Sequence, residues 1–176
     1  MLTHSEVARL FVDDEKERGN ASNMFFEGDV MYSYGHHYIL AVKIRDDNGN
    51  IHAFAVADGN YSPSTQRHYS RMVGELFGRK AFIGLYQNTL FGLRGAHRTL
   101  ENNLSAIKHA YKNNMRYIKA DIEERKRGSM ELRSLFCDWD KCYTYIQQIC
   151  EQLGETTDFD YAHNTFPEKF MMQVKH

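Results

Sequence analysis

Two short segments hold most of the residues of this chain that could do chemistry. The first is Tyr32-Ser33-Tyr34-Gly35-His36-His37, and the second is Asn60-Tyr61-Ser62-Pro63-Ser64-Thr65-Gln66-Arg67-His68. Histidine titrates near neutral pH and can pass a proton, while clustered tyrosine and serine hydroxyls can hold a phosphate or a base. Tyr32, Ser33, Tyr34, His37, Asn60, Tyr61, Ser62, Thr65 and His68 therefore form a candidate polar site, with His37 and His68 as its proton-handling pair. The same residues have structural uses. Ser62 suits a helix cap and Thr65 its first turn, and tyrosine rings pack while their hydroxyls bond across a sheet. Asp58 is the one carboxylate beside them, and it is also an ordinary turn residue. A structural role, a ligand or partner site, and catalysis all stay open, with catalysis the least supported.

His36, His37, His52 and His68 offer imidazoles to a metal, but neighbours on a strand point to opposite faces, so His36 and His37 do not easily share an ion. No metal site and no cofactor is expected. The phosphate-cradling loops of nucleotide-binding proteins are missing, as are the Gly-x-Ser-x-Gly elbow and the His-Glu-x-x-His zinc motif. The common enzyme classes lose weight accordingly. Cys137, Cys142 and Cys150 are odd in number and lack Cys-x-x-Cys spacing, which suits reduced structural thiols.

The two polar segments must be brought together by what lies between them. Residues 38–45 and 51–58 read as strands around Asp47-Asn48-Gly49-Asn50, whose Asn-Gly pair tolerates the positive φ of a type I′ turn, so a β-hairpin is predicted. Apolar residues on both faces of 38–45 predict cover on both sides. Residues 24–26 and 30–34 read as one strand interrupted near Gly28 or as two short ones, giving with the hairpin a small three-stranded antiparallel sheet. Ser62 and Pro63 start a covering helix that carries Tyr69, Met72, Val73, Leu76 and Phe77 up to Gly78. Residues 5–18 read as a docking helix capped by Ser5, residues 19–23 as a loop, and residues 79–96 as helix. In the last stretch Gly84 and Gly92 each cost about 1 kcal/mol relative to alanine.

From Thr99 the periodicity is sustained: Leu100, Leu104, Ile107, Tyr111, Met115, Ile118 and Ile122 recur at spacings of three and four. That predicts one long amphipathic helix, ended by Arg125-Lys126-Arg127-Gly128. Ser129 can cap a second, carrying Leu132, Phe136, Trp139, Tyr143, Ile146, Cys150 and Leu153, and the two are expected to form an antiparallel helical hairpin. Residues 155–176 read as a tail wrapped over the body, with Phe159, Tyr161, Phe166, Phe170 and Met171 as its apolar contacts.

On the first of these helices, Lys108, Lys112, Arg116, Lys119 and Lys126 share an arc beside the apolar stripe. The arc can track a phosphate backbone, meet an acidic protein, or serve as a solvated flank. Residues 79–133 hold 12 Lys and Arg against 5 Asp and Glu, within a chain whose formal net charge is −1.

The composition, 42% hydrophobic and 26% charged with two prolines in 176 residues, is that of a globular protein. A chain of this length should bury roughly 70% of its unfolded surface, so its core needs no staples. No apolar run approaches the roughly 20 residues of a membrane span. The N-terminus has no basic-then-apolar leader pattern, so a cytoplasmic location is expected. The fold class read from these patterns is α+β, with residues 1–96 as a sheet unit and 97–176 as the helical hairpin and tail, packed as one compact domain.

Between Phe26 and His68 the chain resembles an uncharacterised domain family of bacteriophage and archaeal-virus or plasmid proteins. The resemblance is carried by Phe26, Gly28, Tyr32, Ser33, Tyr34, Gly35, His37, Asn60, Tyr61, Ser62, Thr65 and His68, and covers about a quarter of the chain. It implies a phage origin and a small accessory protein acting in the cytoplasm of a bacterial host. The leading expectation is a phage-encoded protein that binds a host macromolecule, for example to inhibit a host defence or gene-expression factor. The first alternative is a nucleic-acid-binding protein using the basic helix 99–127, and the second a small hydrolase or nuclease using His37 and His68. The expected partners are a host protein or nucleic acid and not a membrane, and self-association is left open.

Overall fold

The computed structural model describes residues 1–59, 61–95, 98–124 and 130–157. The fold is α+β. Contacts divide the chain into two compact units, Met1–Ala106 and Ile107–His176.

The first unit holds a six-stranded mixed sheet in the order β1-β2-β3-β4-β5-β6. Its strands are β1 (Arg18–Ala21), β2 (Met24–Glu27), β3 (Val30–Ser33), β4 (Ile39–Arg45), β5 (Ile51–Ala57) and β6 (Ala81–Leu85). The first five form an antiparallel meander, and β6 returns parallel to β5 after the crossing helix α2 (Pro63–Glu75). The sheet is thus twice as wide as the three strands expected. Its additions are the strands least visible in sequence: β1 is polar and largely outside the core, and β6 is a short apolar run whose parallel partner lies across a helix.

The expected helix over residues 5–18 is shorter, α1 (His4–Val12), and Thr3 rather than Ser5 caps it. The Thr3 hydroxyl accepts from the Glu6 amide and the Glu6 carboxylate accepts from the Thr3 amide, closing a capping box. Instead of a helix over 79–96, the chain forms β6 and then a short helix, α3 (Gln87–Leu93). The 39–57 hairpin forms as expected, but its turn is wider than type I′. Only Gly49 takes a positive φ, of 83°, while the Asp46 carboxylate accepts from the amides of Asn48 and Asn50 at 2.9 and 2.8 Å.

Both faces of the sheet are covered. α1 and α2 pack together on one face, where Phe11 of α1 lies 5.5 Å from Phe26 and 6.0 Å from Phe54, with Met24 and Met31 buried beside them. Lys43 enters the same face. Its stem is buried, and its ammonium lies 4.6 Å from the Phe11 ring centre and donates to Asp14, which Arg45 also holds. On the other face α3 approaches β4 and β5, and Leu93 shares a cleft with Val30, Tyr32 and Val42.

The second unit is built from α4 (Leu100–Glu124), beyond its first turns, and α5 (Met130–Leu153). Tyr111 stacks on Tyr145 with ring centres 4.9 Å apart, the Asn114 amide donates to Cys142 Sγ at 3.4 Å, and Lys108 pairs with Glu155. These contacts run in opposite order along the two helices. The expected turn at 125–129, with Lys126, and the tail at 158–176 lie outside the described residues. Among the described residues no helix is long and apolar enough to cross a membrane.

Candidate functional site

Topology gathers several polar connections at one end of the sheet. Because β3 is antiparallel to β4, β4 antiparallel to β5, and β5 parallel to β6, the ends of β3, β5 and β6 lie together with the start of β4. Residues 34–38, 58–59, 61–62 and 86–87 therefore share a neighbourhood. Both polar sequence segments fall there, apart from the residues set within β3 and α2. Asn60 lies outside the described residues.

The strand alternation of β3 splits the first segment between the two faces. Tyr32 faces the α3 side, where its ring stacks on Phe25 at 5.2 Å and meets the edge of His36 at 4.8 Å; His36 also contacts Glu27 at 3.1 Å. Ser33 faces the α2 side and its hydroxyl lies 2.7 Å from His68 Nδ1. Both are deeply buried, Ser33 at 0% exposure and His68 at 4%. Thr65, His68 and Met72 are the buried positions of α2, at spacings of three and four, so the helix periodicity itself aims His68 at the sheet.

His68 has two further ring neighbours: Tyr34 at 5.3 Å and, edge-on at 4.5 Å, His4 from the first turn of α1. Burial first, and the nearby His4 second, push the His68 pKa down. A neutral His68 with a serine on Nδ1 is chemically a base beside a nucleophile, but the pair lies inside the packed layer, where it ties β3 to α2. His37 stands apart from this pair. It is exposed, with its ring against Gly35, where a Cβ would come within 3.1 Å of Nδ1.

The second segment opens as its types suggest. Ser62 caps α2, accepting from the Thr65 amide at 3.2 Å and donating to the Thr65 hydroxyl at 3.0 Å. Tyr61 projects outward, its ring 4.9 Å from that of Tyr38. The Tyr38 hydroxyl donates to the Asp58 carbonyl at 2.9 Å, and burial, followed by the Asp58 charge, raises its pKa. Tyr38, Asp58, Tyr61, Leu85, Tyr86 and Gln87 line a pocket of about 180 Å³. The three connections each present an exposed tyrosine: Tyr34 at 45%, Tyr61 at 67% and Tyr86 at 51%.

Sequence reasoning missed three members of this end. His4 lies 64 positions from His68 and reaches it only through the packing of α1 on α2. Tyr86 is concealed within an apparent helix, and Tyr38 reads from sequence as a strand residue. The Gly at 84, with a φ of +85°, was the available signal that 79–96 is not one helix.

A wider cleft of about 730 Å³ opens on the α3 face, where Glu27, Asp29, Arg45, Asp47, Arg94 and Arg98 mix both charge signs. On α4, Lys108 is taken up by Glu155, Arg116 donates to Asn113 at 3.5 Å, and Lys112 and Lys119 have partners of their own. Among the described residues no group of three or more His, Cys, Asp and Glu could hold a metal ion. Compared with known protein families, curated proteins and solved structures, the chain finds no match.

Proposed function

We propose that this chain is a phage-encoded accessory protein that binds a protein of the bacterial host through the tyrosine-bearing end of its sheet. One observation carries the reading: three separate connections, after β3, β5 and β6, each place an exposed tyrosine at the same end. Tyrosine supplies large, stiff contact area with a polar tip and is enriched where proteins meet. The backbone supports that use at a cost. Tyr34 is held at a φ of +59°, a left-handed conformation that costs a non-glycine residue about 1–2 kcal/mol. Strain of this kind persists where a side chain must be aimed in a particular direction.

Affinity purification from bacterial lysate tests the reading, comparing the wild type with a Tyr34→Ser, Tyr61→Ser, Tyr86→Ser variant of unchanged circular dichroism. The expected result is a partner retained by the wild type and lost by the variant. Identical retention by both would overturn the proposal.

A second reading, a small hydrolase or nuclease, is favoured by the 2.7 Å contact of Ser33 with His68. A substrate would have to part β3 from α2 to reach it. Turnover of activated esters or nucleic acid that disappears in His68→Gln, with the fold intact, would establish this reading in place of binding.

A further inference from the structure

We propose that the pocket formed by Tyr38, Asp58, Tyr61 and Tyr86 is a cage for the lysine side chain, methylated or not, of the partner protein. The proposal rests on the binding reading above and names the group that the tyrosine end takes.

The lining chemistry points to a cation. Aromatic faces carry negative quadrupole charge and attract ammonium groups, most strongly where several rings converge. The exposed Tyr61 ring packs at 4.9 Å on the largely buried Tyr38 ring, and Tyr86 lines the same pocket from the β6 side. Asp58 adds a formal negative charge at an exposed position of the same lining. Its proximity is felt by the buried Tyr38 phenol, whose pKa it helps to raise.

The remaining polar group is already committed. Gln87 both donates to the Ile39 carbonyl and accepts from the Ile39 amide at 2.8 Å, so it closes the floor and is not left for a ligand. The Tyr38 hydroxyl is likewise held by the Asp58 carbonyl. The lining is therefore mainly tyrosine, with the exposed Asp58 among it. A volume of about 180 Å³ lies below the roughly 300–1,000 Å³ of pockets that enclose whole small ligands, and it suits the head of a side chain presented by something larger.

The test follows tyrosine ring resonances by NMR during titration with tetramethylammonium chloride, a lysine peptide, its trimethyllysine counterpart, a glutamate peptide and a single-stranded oligonucleotide. Saturable shifts of Tyr38, Tyr61 and Tyr86 are expected with the three cations and not with glutamate. Affinity should fall about 2- to 5-fold in Asp58→Asn, which removes the formal negative charge beside the rings. It should vanish in Tyr61→Ala, a substitution at an exposed position, with circular dichroism unchanged. Shifts no larger than those from sodium chloride, undiminished binding by Tyr61→Ala, or a response to the oligonucleotide alone would each overturn the cage. Cage failure with a partner still lost by the triple tyrosine variant leaves the binding reading standing. Cation binding without any such partner leaves the cage and removes the reading.

Discussion

A histidine ring held between a serine hydroxyl and a second histidine is stable in one protonation state. Burial first, and His4 second, hold the His68 pKa below its value of roughly 6.5 in the unfolded chain. Its stabilising contribution is therefore complete above that pH and is lost as pH falls through the folded value. The wild type should unfold at lower temperature near about pH 5.5 than near about pH 7.5, and His68→Gln should show a smaller difference over that interval. An equal pH dependence in the two would contradict the assignment. His68→Ala also strands the buried Ser33 hydroxyl, at a cost of about 1–3 kcal/mol readable in urea denaturation. A second acid step belongs to Asp14, whose carboxyl is lowered from 3.8 to about 2 by hydrogen bonds from Arg45 first and Lys43 next. Its contribution is present above the unfolded value and lost as pH falls toward the folded one, so Asp14→Asn should remove the lower step and leave the upper one.

At the scale of elements, the connection from β5 into α2 depends on a residue without a side chain. A Cβ at Gly59 would lie 2.7 Å from the Tyr69 ring and 2.8 Å from Gln66 Oε1, both on the second turn of α2. Gly59→Ala should therefore destabilise the protein by about 1–3 kcal/mol through overpacking, and it should weaken the Tyr61 site with it; thermal melts and the cation titration read the two effects. In the second unit, burial pushes the Cys142 thiol up to about 11, while Cys137 is exposed. A thiol reagent on the native protein should label Cys137 and spare Cys142 until denaturant is added. These elements differ in how readable they are. The 39–57 hairpin and α2 declare themselves because their signals are local: an Asn-Gly turn between strand-like runs, and a Ser-Pro start before a helical repeat. β1 and β6 depend on pairing instead. Arg18 to Ala21 holds no apolar alternation, and Ala81 to Leu85 becomes a strand because β5 offers it an edge. The residue types of the polar site were legible, but their partners were not. Ser33 meets His68 across 35 positions through the docking of α2, and Tyr86 joins Tyr34 and Tyr61 at one end only because β6 runs parallel to β5.

At the scale of the molecule, the charge along α4 from residue 107 onward is largely balanced. Between residues 107 and 124 four Lys and Arg stand with three Asp and Glu, and Lys108 is already paired. The protein should accordingly show no salt-sensitive retardation of single- or double-stranded DNA. Retardation that weakens in a Lys112→Gln, Arg116→Gln, Lys119→Gln variant would restore the nucleic-acid reading. The first unit is held by its sheet layers, and on the α1 face Phe11 meets Phe26, Phe54 and Lys43. Phe11→Ala should cost about 3–5 kcal/mol, measured by urea denaturation. The same layer has a consequence in covalent chemistry. The Lys43 side chain is 1% exposed, its amine covered by Phe11 and held by Asp14, while that of Lys141 is 70% exposed. An acylating reagent will mark Lys141 within its first exposure, whereas Lys43 is acylated only in molecules whose α1 has left the sheet. The mass added at that one lysine is thus a clock for the opening of the α1 face.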